Sequence, residues 1–290
     1  MISESIALQF EYHLANISPR VLNQTTIRRL WKNFQKAEKV TLHGSDLYTI
    51  PTLKSSKTII RHVGKANPQR KKLTRYLINS PSPFSIGLSL RSKSFLSHNS
   101  ALSLYGLTDK LPQRIYVNME QSEKYNENEI TQEGIDRAFK NQVRQSNYIW
   151  AWKNYRFVLI NGKNTGELGV IDFTLDRGEV LRVTNLERTL IDIVIRPVYA
   201  GGEKNIIEAY SRAKGKTTAE RIISILQELD YSYPYHQSIG FLMEKTGFDK
   251  SEYNKFLNLG TEYDFYLAHG MKKTKYDSKW RLHYPQQLKF

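Results

Sequence analysis

Residues 23–50 read NQTTIRRLWKNFQKAEKVTLHGSDLYTI, and the fold of the N-terminal part turns on them. Ile27, Leu30, Trp31 and Phe34 recur at i, i+3, i+4 and i+7, one face of a helix, while Arg28, Arg29, Lys32 and Asn33 fall on the others. Behind this helix, residues 39–43 and 47–50 flank Gly44, Ser45 and Asp46, a hairpin signal that Pro51 closes. Ahead of it, Ile2, Ile6, Phe10 and Leu14 sit at helical spacing, and Ser18 with Pro19 breaks the pattern. Helix, break, basic helix, hairpin is the order of a winged helix-turn-helix, slightly compressed.

Working outward, residues 51–80 are polar and basic and contain Pro68; they read as a linker or as the start of a helix over residues 69–78. Pro81 and Pro83 mark a boundary, so residues 1–80 are expected to form a winged helix-turn-helix with a basic connector. Residues 81–290 form a second, larger domain. There, residues 97–107 read as a helix ending at Gly106, residues 114–118 as a strand and residues 120–134 as a polar, acidic loop. Residues 155–160, 169–175 and 180–183 read as strands joined by Gly-rich turns, a meander. Four helical segments follow. Thr184 with Glu187 and Thr217 with Glu220 have capping-box spacing, and Pro234 opens a helix that ends at Gly247. The expected class is mixed α/β: an N-terminal winged helix-turn-helix, then a larger α/β domain with a mainly antiparallel sheet and C-terminal helices.

The chain has 290 residues, 40% hydrophobic and 12% aromatic, a globular composition with enough apolar surface for a sizeable core. No run of 18 apolar residues spans a membrane, and the N-terminus lacks the positive region of a signal peptide. With no cysteine, disulfides and thiolate metal sites are excluded, and the cytosol is the expected compartment. The net charge is +15, and it is segregated. Residues 47–108 hold ten Lys or Arg and no Asp or Glu, and the last twenty residues hold six bases against Asp277 alone. Residues 109–270 are nearly balanced, with 21 bases and 23 acids. Solubility alone needs no such segregation, whereas a basic face attracts phosphates and binds them in a salt-dependent way.

In a helix-turn-helix the second helix lies in the major groove with its N-terminal residues on base edges. Taken as that helix, residues 23–34 direct Gln24, Thr25, Thr26, Arg28, Arg29 and Lys32 towards DNA. Arg suits guanine and Gln suits adenine. Lys39, Thr41, His43 and Ser45 are assigned to the wing, and Arg70, Lys71 and Lys72 to the adjoining basic run. An ordinary amphipathic helix with a solvated basic face has the same pattern; the hairpin and the acid-free run favour DNA.

Catalytic constellations do not assemble. Gly44 and Ser45 resemble the opening of a nucleotidyltransferase site, but after Asp46 no carboxylate occurs until Asp109. Asp172 and Glu187 lack the neighbouring lysine of a metal-dependent nuclease, and the seven histidines show no HExxH spacing. His98 beside Ser97 and Ser100 lacks a nucleophile elbow and reads as packing. Residues 231–236, YSYPYH, are an aromatic cluster able to stack on bases but bordering an apolar helix, which favours the core.

Four stretches, residues 95–107 (FLSHNSALSLYGL), 184–192 (TNLERTLID), 196–202 (RPVYAGG) and 231–237 (YSYPYHQ), resemble the AbiEi family of antitoxins from abortive-infection, type IV toxin–antitoxin systems. The likeness spans roughly residues 20–260. It implies an N-terminal winged helix that binds operator inverted repeats and represses its own operon. It also implies a C-terminal domain that neutralises a cognate nucleotidyltransferase-like toxin in phage defence. No catalytic residue, cofactor or metal comes with the resemblance, so the chain is read as non-enzymatic. Two other readings stand beside this one: an RNA-binding or toxin-sequestering module without promoter function, and an enzyme acting on nucleic acid.

Overall fold

The computed structural model of the chain describes residues 2–41, 43–64, 71–109, 112–123 and 129–290. Local chemistry sets the first helices. Ser3 accepts from the Ile6 amide and caps α1 (Glu4–Ala15), which buries Ala7, Phe10 and Leu14. After the short strand β1 (Val21–Leu22), Asn23 accepts from the Thr26 amide at 2.8 Å and caps α2 (Gln24–Ala37), as the amphipathic run predicts. Ile27, Trp31 and Phe34 turn inward, and the Phe10 ring meets Trp31 edge-on at 4.8 Å. Burying each such side chain contributes roughly 1.5–3 kcal/mol.

The expected hairpin over residues 39–50 does not form. Asp46–Thr49 is a 3-10 helix, and α3 (Pro51–Ser56) follows directly. Pro51 occupies the first turn of α3, where its fixed φ favours a helix and its missing N–H costs nothing. Leu47, Ile50 and Leu53 recur every three residues and drive into the cluster made by α1 and α2. The hairpin lies further on, in β2 (Lys57–His62) and β3 (Lys72–Leu77), which pair antiparallel with Arg61 opposite Lys72. Residues 72–77 are therefore strand, not the helix entertained for residues 69–78.

The middle of the chain supplies α4 (Pro83–Leu88), β4 (Phe95–Leu96), α5 (Asn99–Leu104), β5 (Arg114–Glu120), α6 (Gln132–Lys140), β6 (Ile149–Trp152), β7 (Tyr155–Gly162), β8 (Val170–Thr174) and β9 (Val180–Thr184). Among the described residues nine strands form one sheet in the order β1-β3-β2-β6-β7-β5-β4-β9-β8. Only β5–β7 and β4–β9 run parallel, so the sheet is mainly antiparallel. The three expected strands are β7, β8 and β9, but they are not a meander: β5 and β4 separate β7 from the β9–β8 hairpin. α6 begins inside the segment expected as a loop, with Thr131 as its cap.

The rest is helical: α7 (Leu186–Ile195), α8 (Pro197–Ala200), α9 (Glu203–Ala213), α10 (Ala219–Leu229), α11 (Tyr235–Lys245) and α12 (Lys250–Leu257). A small sheet of β10 (Phe265–Tyr266), β11 (Thr274–Asp277) and β12 (Leu282–Pro285), not foreseen, packs on these helices. Both expected capping boxes shift by one residue. Thr184 still pairs in β9, so Asn185 caps α7; Thr217 donates to Glu187 at 2.8 Å, so Thr218 caps α10. Arg188 and Asp192 meet at 2.8 Å as their i, i+4 spacing suggests, but both are buried rather than on a wet helix face. Among the described residues no helix is long and apolar enough to cross a membrane.

Candidate nucleic-acid interface

The N-terminal part orders helix, strand, helix, helix, strand, strand, with the three strands in the order β1-β3-β2. One core of Phe10, Leu14, Ile27, Trp31, Leu47 and Leu53 joins α1, α2 and α3. A carboxylate fixes α3 on this core: Glu11 of α1 accepts from the Thr52 amide at 2.8 Å. Its position at the first turn of α3 is the one that helix dipole and free N–H groups favour.

On α2, Gln24, Thr25, Arg28, Arg29 and Lys32 are exposed, while Thr26 is half-buried and its amide is already held by Asn23. Arg28 turns to the following segment, its Nε donating to the Tyr48 hydroxyl at 3.1 Å. Lys39, Thr41 and His43 are exposed in irregular chain between α2 and the 3-10 helix, so they sit on no wing. Lys39 has φ 54°, where the chain reverses after α2. Arg70 lies outside the described residues; Lys71 and Lys72 are exposed at the start of β3.

Residues of the acid-free run that the sequence counts as bases, without assigning them to the DNA site, complete the surface. Lys54 and Ser55 are exposed on α3, and β2 alternates exposed Lys57, Ile59 and Arg61 with inward Thr58, Ile60 and His62. That period of two was legible but masked by the basic composition of the stretch. Among the described residues none of Arg28, Arg29, Lys32, Lys54, Lys57, Arg61, Lys71 or Lys72 pairs with a carboxylate. Arg61 and Lys72 face each other across the hairpin, an arrangement that repels unless an anion lies between or beside them. Not every base of the acid-free run joins this surface. Arg75 is buried in β3, donates to the Ser89 carbonyl at 2.7 Å, and burial holds its pKa below the usual arginine value.

Asp172 is exposed on β8, whereas Glu187 is buried on α7, bound to Thr217 and to Arg221 at 3.0 Å. Among the described residues no group of three His, Asp or Glu side chains is placed to hold a metal ion. Ser97 and His98 share a hydrogen bond of 2.8 Å inside the core, and burial lowers the His98 pKa to about 4. In the aromatic cluster Tyr235 is buried, and Tyr231 and Tyr233 are half-buried against the helical core.

No family model matches the chain, and no curated protein does. Among solved structures it is similar to the crystal structure of the RV2827C protein from Mycobacterium tuberculosis, with a TM-score of 0.53 and 15% identity. That likeness covers 98% of this chain and 92% of the other, so the two share a fold across nearly their whole length.

Proposed function

We propose that residues 2–80 act as a winged helix-turn-helix that binds duplex DNA. The observation that carries this reading is the element order with its β1-β3-β2 sheet, whose exposed side bears bases that no carboxylate among the described residues neutralises. In this reading α3, the second helix of the α2–α3 pair, enters the major groove and offers Thr52, Lys54 and Ser55 to base edges. α2 then crosses the backbone, where Thr25, Arg29 and Lys32 meet phosphates, and the β2–β3 hairpin is the wing, bearing Arg61, Lys71 and Lys72. The base-reading role thus moves from α2, where the sequence suggested it, to α3.

The resemblance to AbiEi antitoxins supplies the biological setting: repression of the chain's own operon through inverted repeats, and neutralisation of a nucleotidyltransferase-like toxin. The test is titration of duplex DNA from upstream of the chain's own gene, at several salt concentrations. Affinity should fall linearly on a log–log plot as salt rises. Lys54→Ala with Ser55→Ala should weaken specific binding by roughly 1–3 kcal/mol per lost base contact and leave non-specific binding nearly unchanged. Arg29→Ala with Lys32→Ala should weaken both and reduce the salt slope by about one per lost phosphate contact. Wild-type affinity and preference in the α3 variant would remove α3 from the role given to it.

A further inference from the structure

The C-terminal ends of the parallel strands β5 and β7 open onto a cavity of about 820 Å³, closed on its other side by α7, α8 and the segment before α11. The ends of parallel strands are where α/β sheets habitually hold ligands, and the volume falls in the small-molecule range of roughly 300–1,000 Å³. The four stretches that carry the family resemblance each send a side chain here: His98, Arg188 with Asp192, Arg196 with Tyr199, and Tyr231.

The lining is cationic and incomplete. Arg91, Arg144, Lys163 and Arg196 face the cavity, and among the described residues none of them meets a carboxylate. Arg91 donates to Asn161 Oδ1 and lies 5.1 Å over the Tyr148 ring, while Lys163 is anchored on the Leu229 and Asp230 carbonyls. Asp192, the one carboxylate among the described lining residues, accepts from Arg188 Nε at its Oδ1. Among the described residues its Oδ2 is buried without a partner, and so is Oδ1 of Asn118 on β5. A buried acceptor without a donor is costly, and donors from a ligand would satisfy both. Gly162 keeps the Asn118 amide in place, since a Cβ there would sit 2.8 Å from Asn118 Oδ1. Burial, with Asp192 adding to it, pushes Tyr231 up to about 12, so no phenolate opposes the cations.

Three requirements therefore meet. Uncompensated cations select a multiply charged anion, two unpartnered acceptors select O–H or N–H donors on the same molecule, and Tyr148, Tyr199 and Tyr231 give the wall aromatic surface that suits a planar base, with Arg91 over the Tyr148 ring and Lys163 over the Tyr231 ring. Inorganic phosphate meets only the first, and an acidic peptide lacks the flat donor-bearing ring. We propose that this cavity binds a ribonucleotide, with phosphate against Arg144, Arg196 and Lys163 and with ribose hydroxyl or base amino groups on Asp192 and Asn118. The same chemistry is carried by a free ribonucleoside phosphate and by the terminal nucleotide of an RNA. The inference does not depend on DNA binding by the N-terminal part.

The full chain is titrated calorimetrically with the four ribonucleoside triphosphates, their deoxy counterparts, inorganic phosphate and a short single-stranded RNA. Saturable ribonucleotide binding is expected, weaker by roughly tenfold for the deoxy forms and weaker again for phosphate alone. Tighter binding of the RNA than of any free nucleotide would support the same site with an RNA end as its source. Arg144 and Arg196 are exposed, so Arg144→Ala with Arg196→Ala should keep the wild-type melting temperature. That variant should weaken ribonucleotide binding roughly tenfold to a hundredfold and leave duplex DNA affinity unchanged. The proposal is overturned by absence of saturable binding for both nucleotide and RNA, by a variant that binds as wild type, or by a parallel loss of DNA affinity.

Discussion

His98 shows how one residue can couple this fold to pH. It opens α5 at φ 53°, is buried, and packs edge-on against Tyr199 at 5.3 Å. Burial lowers its pKa to about 4, whereas an unfolded chain titrates near the ordinary value of about 6.5. Between those values the unfolded state takes up a proton that the folded state refuses. Stability therefore rises with pH across this window and is lost as pH falls from about 6.5 towards 4, by roughly 3 kcal/mol in total. His98→Asn places a residue that tolerates positive φ at the same point without the ionisable ring. Denaturant unfolding at pH 7 and pH 4.5 should show a smaller loss of stability in the variant by about 2 kcal/mol; equal losses in both proteins would refute the assignment. Nothing in the order of residues 97–100 announces this, because a serine beside a histidine reads the same in a core as in a site.

At the level of elements, α2 was legible because it sets a core face against a wet one, α11 because Pro234 stands where a helix can begin, and α7, buried all along residues 187–194, from the capping residues ahead of it rather than from alternation. Residues 39–56 were not. Gly44, Ser45 and Asp46 have turn chemistry in isolation, but Leu47, Ile50 and Leu53 find the α1–α2 core, and tertiary packing outweighs the local hairpin signal. The α3 that results is short and depends on its neighbours, with Glu11 supplying the acceptor at its first turn. Glu11→Ala should lower global stability by about 1 kcal/mol. It should also speed hydrogen exchange at the amides of residues 52–54 more than elsewhere in the N-terminal part, measured by NMR. Uniform exchange across α1, α2 and α3 would show that the carboxylate does not hold α3.

For the molecule as a whole, the class of fold was readable from patterning, whereas the closure of the chain and the cavity were not. The cavity draws on residues scattered from Arg91 to Tyr231, and no local spacing connects them. The sequence of the C-terminal segment shows little beyond charge, yet Trp280 is fully buried against α11 and its carbonyl accepts from Gln237 Nε2 at 2.7 Å. Gly240 makes that docking possible: a Cβ there would lie 2.2 Å from the Trp280 ring and 2.8 Å from Phe256 Cβ. Gly240→Ala should destabilise the protein by roughly 1–3 kcal/mol or more through overpacking, read as a lowered urea midpoint. A midpoint at or above that of wild type would mean that this junction yields freely.

The pairing of β2 with β6 has a practical consequence for anyone who isolates the N-terminal part. His62 lies opposite Trp150, the Val63 amide reaches the Ile149 carbonyl at 2.8 Å, and Trp152 Nε1 donates to Thr58. A fragment cut after residue 80 would strip this cover and turn β2 into an open edge with exposed Ile59 and Val63 beside it. Unsheltered edges of that kind recruit other strands, and such a fragment is expected to self-associate at concentrations where the full chain does not. Replacing Ile59 and Val63 with lysine would be the rational way to keep it monomeric.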